Sequence, residues 1–337
     1  MTTLADRFGQ HWLVCCEAAK LGRNPLSVNV LGTPLVVFRS STGIVVAEDR
    51  CPHRNAPLSL GQVERGELTC PYHGWRFGSD GRCVAAPGLC AGDPPDVTLR
   101  CWQAHEFDGW IWVATPAMSL TQRMYRSRLG DNAGYESFNM AAVLESTLPD
   151  AIENLLDATH TPFVHAGLVR SAKSKQSFTA VVRRSNDLVE AEYRGEKRQH
   201  GLISRLFEPE REVSFGRFIP PFTAELEYRS PTRTELLVVA HFTPADAGKI
   251  NVFVKVYLPK GRLPSLLRLA IARYFFSRVL KQDSEILASQ SRNIARFGKQ
   301  AYTCWQADLL RPWIDAWLRD GEFPAQAAGP ETVCFEL

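Results

Sequence analysis

Two patterns of apolar and polar positions divide this sequence. Between about residues 10 and 116, short apolar runs such as Leu35–Arg39 alternate with turn residues, which is typical of strands in a small all-β domain. From Val143 to Leu168 the spacing is helical, strands return between about Phe178 and Leu258, and a helical stretch follows Pro264 as far as about Phe297. Strands and helices segregated in this way predict an α+β protein with two domains.

Several shorter segments carry the same signals. A connecting segment is expected from Ala117 to about Asn139, where neither pattern holds. Pro149 and Asp150 are typical of a helix start. The other expected elements are an early strand over 12–16, a hairpin of 35–39 with 44–47, strands over 75–77, 110–113, 179–182, 236–240 and 252–257, and a short helix near 308–319.

Composition places the chain among ordinary globular proteins. Its 337 residues are 45% hydrophobic and 22% charged, and a net charge of +3 is too small to indicate nucleic-acid binding. No uncharged apolar run reaches the ~18–20 residues of a membrane span, so no membrane association is expected. Residues 1–20 lack a basic segment followed by a long apolar one, so no secretory signal is expected either.

The cysteines change this picture. There are nine of them, an odd number, so free thiols or metal ligands in a reducing, cytoplasmic setting are expected rather than a disulfide framework. Two have a histidine at ligand spacing: Cys51-Pro52-His53 and Cys70-Pro71-Tyr72-His73. Two loops that each mix one thiolate with one imidazole are typical of a Rieske centre, a [2Fe–2S] cluster in which two His replace two Cys. A Cys2His2 zinc site is the alternative, although zinc sites usually pair like ligands within a loop.

A second group of chemically active side chains lies in the segment that starts at Asp150. It contains Asn154, Asp157, His160 and His165. Two histidines five residues apart are weak evidence for a metal site when they are taken alone. Beside a Rieske centre they indicate a mononuclear iron site, since two histidines and one carboxylate leave open positions on Fe(II).

With both motifs present, the chain resembles the α subunit, or terminal oxygenase, of the Rieske non-haem iron oxygenases. The family pattern Asn-x-x-Asp-x-x-His-x4-His matches Asn154, Asp157, His160 and His165. The size is similar to that of the short members, such as the oxygenase components of vanillate O-demethylase and dicamba monooxygenase. Members of this size are commonly homotrimers.

The resemblance implies a fold, cofactors and partners. A Rieske domain over residues 1–118 would precede a catalytic domain over 119–337, in which helices flank an antiparallel sheet in a helix-grip-like arrangement. Each chain would hold one [2Fe–2S] cluster and one Fe(II), with electrons passed from NAD(P)H by a ferredoxin or flavin reductase. As a monooxygenase, it would use O2 to hydroxylate or oxidatively demethylate a small aromatic or cyclic organic substrate. A Rieske-type electron carrier without oxygenase activity and a zinc-stabilised binding module are the alternatives.

The resemblance also assigns metal ligands. The cluster ligands would be Cys51, His53, Cys70 and His73. The iron would be held by His160, His165 and a carboxylate on the long helix. Asp283 fits that position, with Glu285 as the alternative, since Gln282 stands where the family has an acidic residue.

Other residues of the iron motif receive supporting roles from the resemblance. Asp157 would bridge His73 of one chain and His160 of its neighbour, because a carboxylate that accepts from an imidazole N–H orients the ring. A local capping role is the alternative. Asn154, as a further catalytic residue, and Glu153 would support the iron ligands from outside.

The substrate cleft is expected between the strands of the second domain and the long helix. Its candidate lining residues are Phe215, Phe218, Ile219, Phe222, Val239 and Phe253, although ordinary core is the favoured interpretation of each. Arg217 and His241 could hold a polar group of the substrate or could be satisfied strand residues. The stretch Leu266–Arg278 is expected to be a buried helix leading to Asp283, with a basic surface for a membrane or an acidic ferredoxin as the alternative.

Overall fold

The structure is a computed structural model that describes residues 8, 11–88, 92–115, 123–130, 132–169, 177–195, 203, 207, 211–261, 263–298, 301–325 and 331–336. The chain forms two compact units, Met1–Arg126 with Thr243–Ala247 and Ser127–Phe242 with Gly248–Leu337. The expected division at 118/119 and Cys90 lie outside the described residues. Within the described ranges, no helix combines the length and the apolar character needed to cross a membrane.

The first unit consists of strands and tight loops. Its strands are β1 (Leu13–Glu17), β2 (Leu26–Val30), β3 (Thr33–Arg39), β4 (Ile44–Glu48), β5 (Gln62–Glu64), β6 (Glu67–Thr69), β7 (Arg76–Phe77), β8 (Cys83–Ala85), β9 (Cys101–Phe107) and β10 (Trp110–Ala114). A six-stranded sheet has the order β1-β10-β9-β4-β3-β2, and a four-stranded sheet has the order β5-β6-β7-β8. The expected hairpin of β3 and β4 is confirmed, with Arg39 opposite Ile44.

A single apolar core joins the two sheets of the first unit. Phe38 of β3, Leu68 of β6 and Phe77 of β7 are all fully buried in it. Cys51 and Cys70 belong to the same core. Both cysteine loops are therefore anchored in close-packed surroundings, which restrict their movement.

The second unit is built on one antiparallel sheet of eight strands. These are β11 (Tyr135–Glu145), β12 (Ser177–Arg184), β13 (Val189–Arg194), β14 (Val213–Ile219), β15 (Thr223–Arg229), β16 (Thr234–Pro244), β17 (Lys249–Pro259) and β18 (Glu331–Glu336), in the order β11-β17-β16-β15-β14-β13-β12-β18. The helices are α1 (Leu148–Leu156), α2 (Thr161–Val164), α3 (Ser265–Phe297) and α4 (Arg311–Asp320). The predicted α+β class, with an all-β first domain and an antiparallel sheet with helices in the second, is confirmed.

The long helix α3 packs against the edge strand β11 along a narrow stripe. Only Ala272, Phe276 and Leu287 are buried among its described residues, and the Nη1 of Arg273 donates to the carbonyl of Asn139 at 3.0 Å. The expected helix over Leu266–Arg278 is present and continues to Asp283, but the expectation that it is buried is wrong, since Leu266 is 86% exposed. A helix that packs mainly against one edge strand leaves most of its circumference in solvent.

The elements that precede the iron motif also differ from the expectation. Strand β11 covers the last five residues of the expected connecting segment and the expected start of the helix at Val143, and α1 begins only at Leu148. An edge strand with exposed side chains such as Val143 lacks a regular alternation of apolar residues. The helix start is instead marked by Thr147, whose side chain accepts from the backbone N–H of Asp150.

Arg217 lies in a buried network of ion pairs on the sheet. Its guanidinium contacts Glu190, Glu225 at 3.1 Å and Glu227 at 2.9 Å, and Arg128 contacts Glu227 at 2.6 Å. Burial lowers the pKa of Arg217, but these carboxylates outweigh it and raise the pKa. Arg217 is thus a satisfied strand residue, because its charge is already balanced by neighbouring strands.

His241 of β16 is buried and is expected to make the stability of the protein depend on pH. Its Nδ1 lies 2.9 Å from the Thr223 hydroxyl; burial, with a further contribution from the charge of Lys255, lowers its pKa to about 3. An unfolded chain takes up this proton near pH 6.5, so the free energy of unfolding should fall below that pH, by up to about 1.4 kcal/mol per pH unit. Urea unfolding at pH 7 and pH 5.5 measures the loss. His241→Gln should reduce it, and equal losses in both proteins would refute this origin.

Candidate metal centres

The two cysteine loops share one backbone geometry. The N–H of Cys51 donates to the carbonyl of Ala56 at 2.9 Å, and the carbonyl of Cys51 accepts from Asn55 at 2.8 Å. In the second loop, the N–H of Cys70 donates to the carbonyl of the fifth residue after it at 2.8 Å. The carbonyl of Cys70 accepts from the N–H of Gly74 at 3.1 Å. Asn55 and Gly74 both have positive φ, 58° and 70°, a conformation that Gly and Asn adopt most readily. Each loop therefore presents its Cys and His side chains from the same tight turn.

The four predicted cluster ligands lie side by side. Cys51 and Cys70 are buried, and the rings of His53 and His73 lie 4.6 Å apart. Trp75 stacks on His53 at 4.5 Å and fixes its plane. The Nδ1 of His53 is buried without a hydrogen-bond partner among the described residues, which is unusual for a polar atom unless it binds something else. Two buried thiols and two adjacent imidazoles, one with an unsatisfied nitrogen, fit the ligand set of a Rieske cluster.

The three predicted iron ligands also meet. The Nε2 atoms of His160 and His165 are 3.2 Å apart, and the Oδ1 of Asp283 lies 3.0 Å from the His165 nitrogen and 3.6 Å from that of His160. The ligand atoms all lie within 4.8 Å of one another. The Oδ1 of Asp283 is buried and makes no hydrogen bond within the described ranges. Such a centre, with an orphan carboxylate oxygen and two imidazoles, fits the facial triad of non-haem iron.

The local sequence explains how the two histidines reach the same point. Helix α1 ends at Asp157, whose Oδ1 accepts from both the N–H and the hydroxyl of Thr159 at 2.6 Å. This turn places His160 immediately before the single helical turn α2, and His165 immediately after it. Pro162 lies in the first turn of α2, where its fixed φ suits a helix start. The five-residue spacing therefore spans one short helix.

The outer nitrogens of both histidines face oxygen acceptors. The Nδ1 of His160 lies 2.7 Å from the carbonyl of Asp157, and the Nδ1 of His165 lies 3.0 Å from the Oε1 of Gln282. Because a carbonyl or amide oxygen can only accept, each Nδ1 must carry the hydrogen. The lone pairs of both Nε2 atoms are thus left for the centre, as metal ligation requires.

The charge around the centre favours a cation. Burial lowers the pKa of His160, but the carboxylates of Asp157 and Asp283 outweigh this effect and raise the pKa to about 9. Burial raises the pKa of Asp283, but the neighbouring side chains of His160, His165 and Asn154 outweigh it and lower the pKa to about 2. A metal ion and a proton therefore compete for the same lone pairs.

The other residues of the motif separate into two groups. Asn154 lies at the centre, since it borders the same cleft as His160, His165 and Asp283. Glu153 forms an ion pair with Arg311, so the expectation that it supports the iron ligands is not met by its contacts. Glu285, the alternative ligand, has a side chain that is 64% exposed and pairs with Lys281 at 3.7 Å. The structure brings Asp283, and not Glu285, to the histidines.

A largely apolar cleft opens beside the three ligands. It opens to solvent on one side and reaches the three ligand side chains on the other, and an apolar cleft with a few polar groups is typical of a small-molecule site. Its apolar lining includes Leu226, Leu236, Val238, Val254, Phe276 and Leu280. Asn154, Thr161 and Tyr228 add polar atoms, and His160, His165 and Asp283 form part of its wall.

The side chains expected to line this cleft do not do so. Phe215, Phe218, Ile219, Phe222, Val239 and Phe253 are absent from its described wall, as are Arg217 and His241. Instead the cleft is lined by Val238 and Val254, next to Val239 and Phe253 in the sequence. Neighbouring residues of a strand point to opposite faces of the sheet. Every residue of β16 is buried, so hydrophobicity could not reveal which face holds the cleft.

Two family models match the chain. The Rieske [2Fe-2S] domain matches residues 11–103, and the vanillate O-demethylase oxygenase C-terminal domain matches residues 145–312. The first range contains both cysteine loops, and the second contains His160, His165 and Asp283.

Individual relatives agree with the family models. The chain is 27% identical to the vanillate O-demethylase oxygenase subunit of Pseudomonas sp. (strain HR199 / DSM 7063) over 339 residues, 90% of each chain. It is 32% identical to the oxygenase component of dicamba O-demethylase from Stenotrophomonas maltophilia over 157 residues, 46% of each chain. The crystal structure of dicamba monooxygenase bound to 3,6-dichlorosalicylic acid matches with a TM-score of 0.79 and 19% identity over 93% of this chain and 97% of that chain.

The resemblance drawn from the sequence motifs is therefore confirmed. Both cofactors follow from the family, a [2Fe–2S] cluster and a mononuclear iron, with NAD(P)H acting through a reductase. The chain belongs to the Rieske non-haem iron oxygenases.

Proposed function

We propose that this chain is the terminal oxygenase component of a monooxygenase system that hydroxylates or oxidatively demethylates a small aromatic or cyclic substrate. The observation that carries this proposal is the convergence of His160, His165 and Asp283 at the wall of an apolar cleft. A Rieske-type electron carrier needs only the cluster. A second set of ligands beside an apolar cleft favours the oxygenase over the carrier.

In this proposal each residue of the two centres has a defined task. The cluster is held by Cys51, His53, Cys70 and His73, and the iron by His160, His165 and Asp283. When bound, the cluster supplies single electrons and the mononuclear iron supplies the activation of O2 beside the substrate. The protein fixes the ligand geometry and, through the apolar wall of the cleft, limits the access of water.

We further propose that O-demethylation of an aromatic methyl ether is the first reaction to test. The apolar wall beside the three ligands suits an aromatic ring and its methyl group, and two similar proteins are named as O-demethylases. In the net reaction, an aryl methyl ether, O2, two electrons and two protons give a phenol, formaldehyde and water. One oxygen atom enters the methyl carbon, whose hydroxylated form collapses to formaldehyde.

The electrons are proposed to come from NAD(P)H through a flavin reductase or a ferredoxin. In this family NAD(P)H is supplied through a reductase. An exposed His73 on the cysteine loops is an accessible point for electron transfer. The specific donor is to be found by pairing the chain with candidate reductases.

The assembly is proposed to be a head-to-tail homotrimer, in which the cluster of one chain faces Asp157 of the next. The Asp157 side chain is 29% exposed, and its Oδ2 lies 3.7 Å from the Nδ1 of His160. His73 is exposed on its own unit. Asp157 and His73 are thus both accessible to another chain. A heterologous contact between them, repeated from chain to chain, can close into a ring.

Location and domain limits complete the proposal. The eight described cysteines are free, which suits the reducing conditions of the cytoplasm. We retain a Rieske domain over residues 1–118 and a catalytic domain over 119–337. Limited proteolysis of the purified chain would locate the junction.

One experiment tests the proposal as a whole. The purified chain should contain two iron atoms and two sulfides for the cluster, plus one further iron, and should show the visible absorption of a Rieske centre. With a reductase, NADH, O2 and a panel of aromatic methyl ethers, it should release formaldehyde and phenol in equal amounts. A colourless protein without acid-labile sulfide would contradict the cluster. Iron limited to the cluster, with no product from any substrate, would leave the electron carrier.

A further inference from the structure

Gln282 makes a contact that the two predicted centres do not account for. It precedes Asp283 on α3, and its Oε1 lies 3.0 Å from the Nδ1 of His165. His165 is 2% exposed, so water has little access to this nitrogen. Gln282 is therefore placed to fix the plane and the protonated nitrogen of a buried imidazole.

We propose that Gln282 is a positioning residue for the mononuclear iron: its amide oxygen holds the Nδ1–H of His165 and so aims Nε2 at the metal. This inference rests on the proposed iron site. Gln282 and Asp283 are neighbours on one helix, so α3 supplies both a ligand and the support for a second ligand. Any rotation of this turn would displace both together.

The amide also sets the charge of the site. The outer N–H of His160 is satisfied by the backbone carbonyl of Asp157, and that of His165 by the side-chain amide of Gln282. Both acceptors are neutral. Asp283 is then the carboxylate that meets the two Nε2 atoms, with the Asp157 carboxylate farther out at 3.7 Å from His160. A glutamate at position 282 would add a negative charge one ring away from the metal.

An amide differs from a carboxylate in a second way. It can turn its N–H₂ group toward the ring, in which case His165 would carry its hydrogen on Nε2 and could not bind a metal. A carboxylate can only accept and would hold the ligating tautomer in every orientation. Gln282 thus supports metal binding in one of its two orientations, and bound metal selects that orientation.

The test compares iron affinity in three variants with the cluster intact. Gln282→Met keeps the length of the side chain and removes the acceptor, Gln282→Glu keeps an acceptor and adds charge, and Gln290→Met is a matched control two turns along α3. After removal of the mononuclear iron, Fe(II) is titrated back against a colorimetric chelator. Cluster absorbance and melting temperature report whether each variant is folded.

We expect Gln282→Met to bind Fe(II) about 10–100-fold more weakly than the unmodified chain, the range typical for loss of an outer hydrogen bond to a metal ligand. Gln282→Glu should bind at least as tightly as the unmodified chain. It should also lower the midpoint potential of the mononuclear iron, followed by the EPR signal of Fe(III) in a redox titration, because added negative charge favours the higher oxidation state. Gln290→Met should change neither property.

Two results would overturn the inference. Gln282→Met with unchanged Fe(II) affinity would show that the contact does not support the metal, and Gln282→Glu as weak as Gln282→Met would show that only packing matters. Failure of the iron site itself has a different signature. If His160, His165 and Asp283 do not bind the iron, the variant His165→Ala should still contain the third iron atom. If only the Gln282 inference fails, His165→Ala should lack that iron atom.

Discussion

Replacing Asp283 with Asn is expected to remove the mononuclear iron and to lower product formation more than about 100-fold, because the loss of a direct ligand should exceed the 10–100-fold typical of outer contacts. The change is nearly isosteric, so the packing of α3 is kept. It removes the negative charge that His160 and His165 share. Iron content, cluster absorbance and product formed per chain are the measurements.

The control for this variant lies on the same helix. Glu285→Gln also removes one carboxylate charge, but from an exposed side chain whose partner is Lys281. An exposed ion pair contributes little to stability, so this variant should keep the iron and the activity. If Glu285→Gln lost the iron and Asp283→Asn kept it, the assignment of the ligand would be reversed.

Replacing Asp157 with Asn is expected to slow reoxidation of the reduced cluster during turnover about 10–100-fold, with both metal centres filled. The Oδ1 of an asparagine can still accept from the N–H and hydroxyl of Thr159, so the turn before His160 should persist. The variant loses only the negative charge of the carboxylate, which is proposed to lie between His160 of its own chain and His73 of the neighbouring chain. Stopped-flow absorbance of the cluster, after mixing with substrate and O2, measures the rate.

A second acidic residue close to Asp157 provides the control. Asp308 lines a small polar cleft with Asp157, and Asp308→Asn should leave the rate of cluster reoxidation unchanged. An unchanged rate in Asp157→Asn as well would mean that this carboxylate does not link the centres.

The direction of transfer can be tested with mixed assemblies. Chains carrying Asp157→Asn and chains carrying His73→Ala should each be nearly inactive alone. Assembled together, they form contacts in which an intact His73 meets an intact Asp157 of the neighbouring chain, and part of the activity should return. If transfer ran within one chain, every chain of the mixture would remain defective, and no activity would return.

Some features of the site follow from residues close together in the sequence. The spacing of His160 and His165 is set by one helical turn between them, and each cysteine loop is a tight turn with its ligands two or three residues apart. Ligands that share a turn have their geometry fixed by local backbone conformation. A sequence motif can therefore predict them.

Other features depend on where distant segments come together. His165 and Gln282 are 117 positions apart, and their contact exists only because α3 packs along β11 beside α2. The cleft wall was placed one residue away from its true position on β16 and β17, because a strand that is buried on both faces carries no alternation. Hydrophobicity is also misleading on α3. Leucines at its start are apolar and so predict burial, but they face solvent.

By itself the sequence determined the two domains, the ligand-bearing loops and the family, because these depend on turns and spacings within short segments. The tertiary structure decided that Asp283 rather than Glu285 meets the histidines, that Gln282 contacts His165, and which face of the sheet holds the cleft. Each of these depends on the packing of α3 and on the choice between two buried faces of a strand. Packing of that kind brings together residues far apart in the chain, and no local pattern records it.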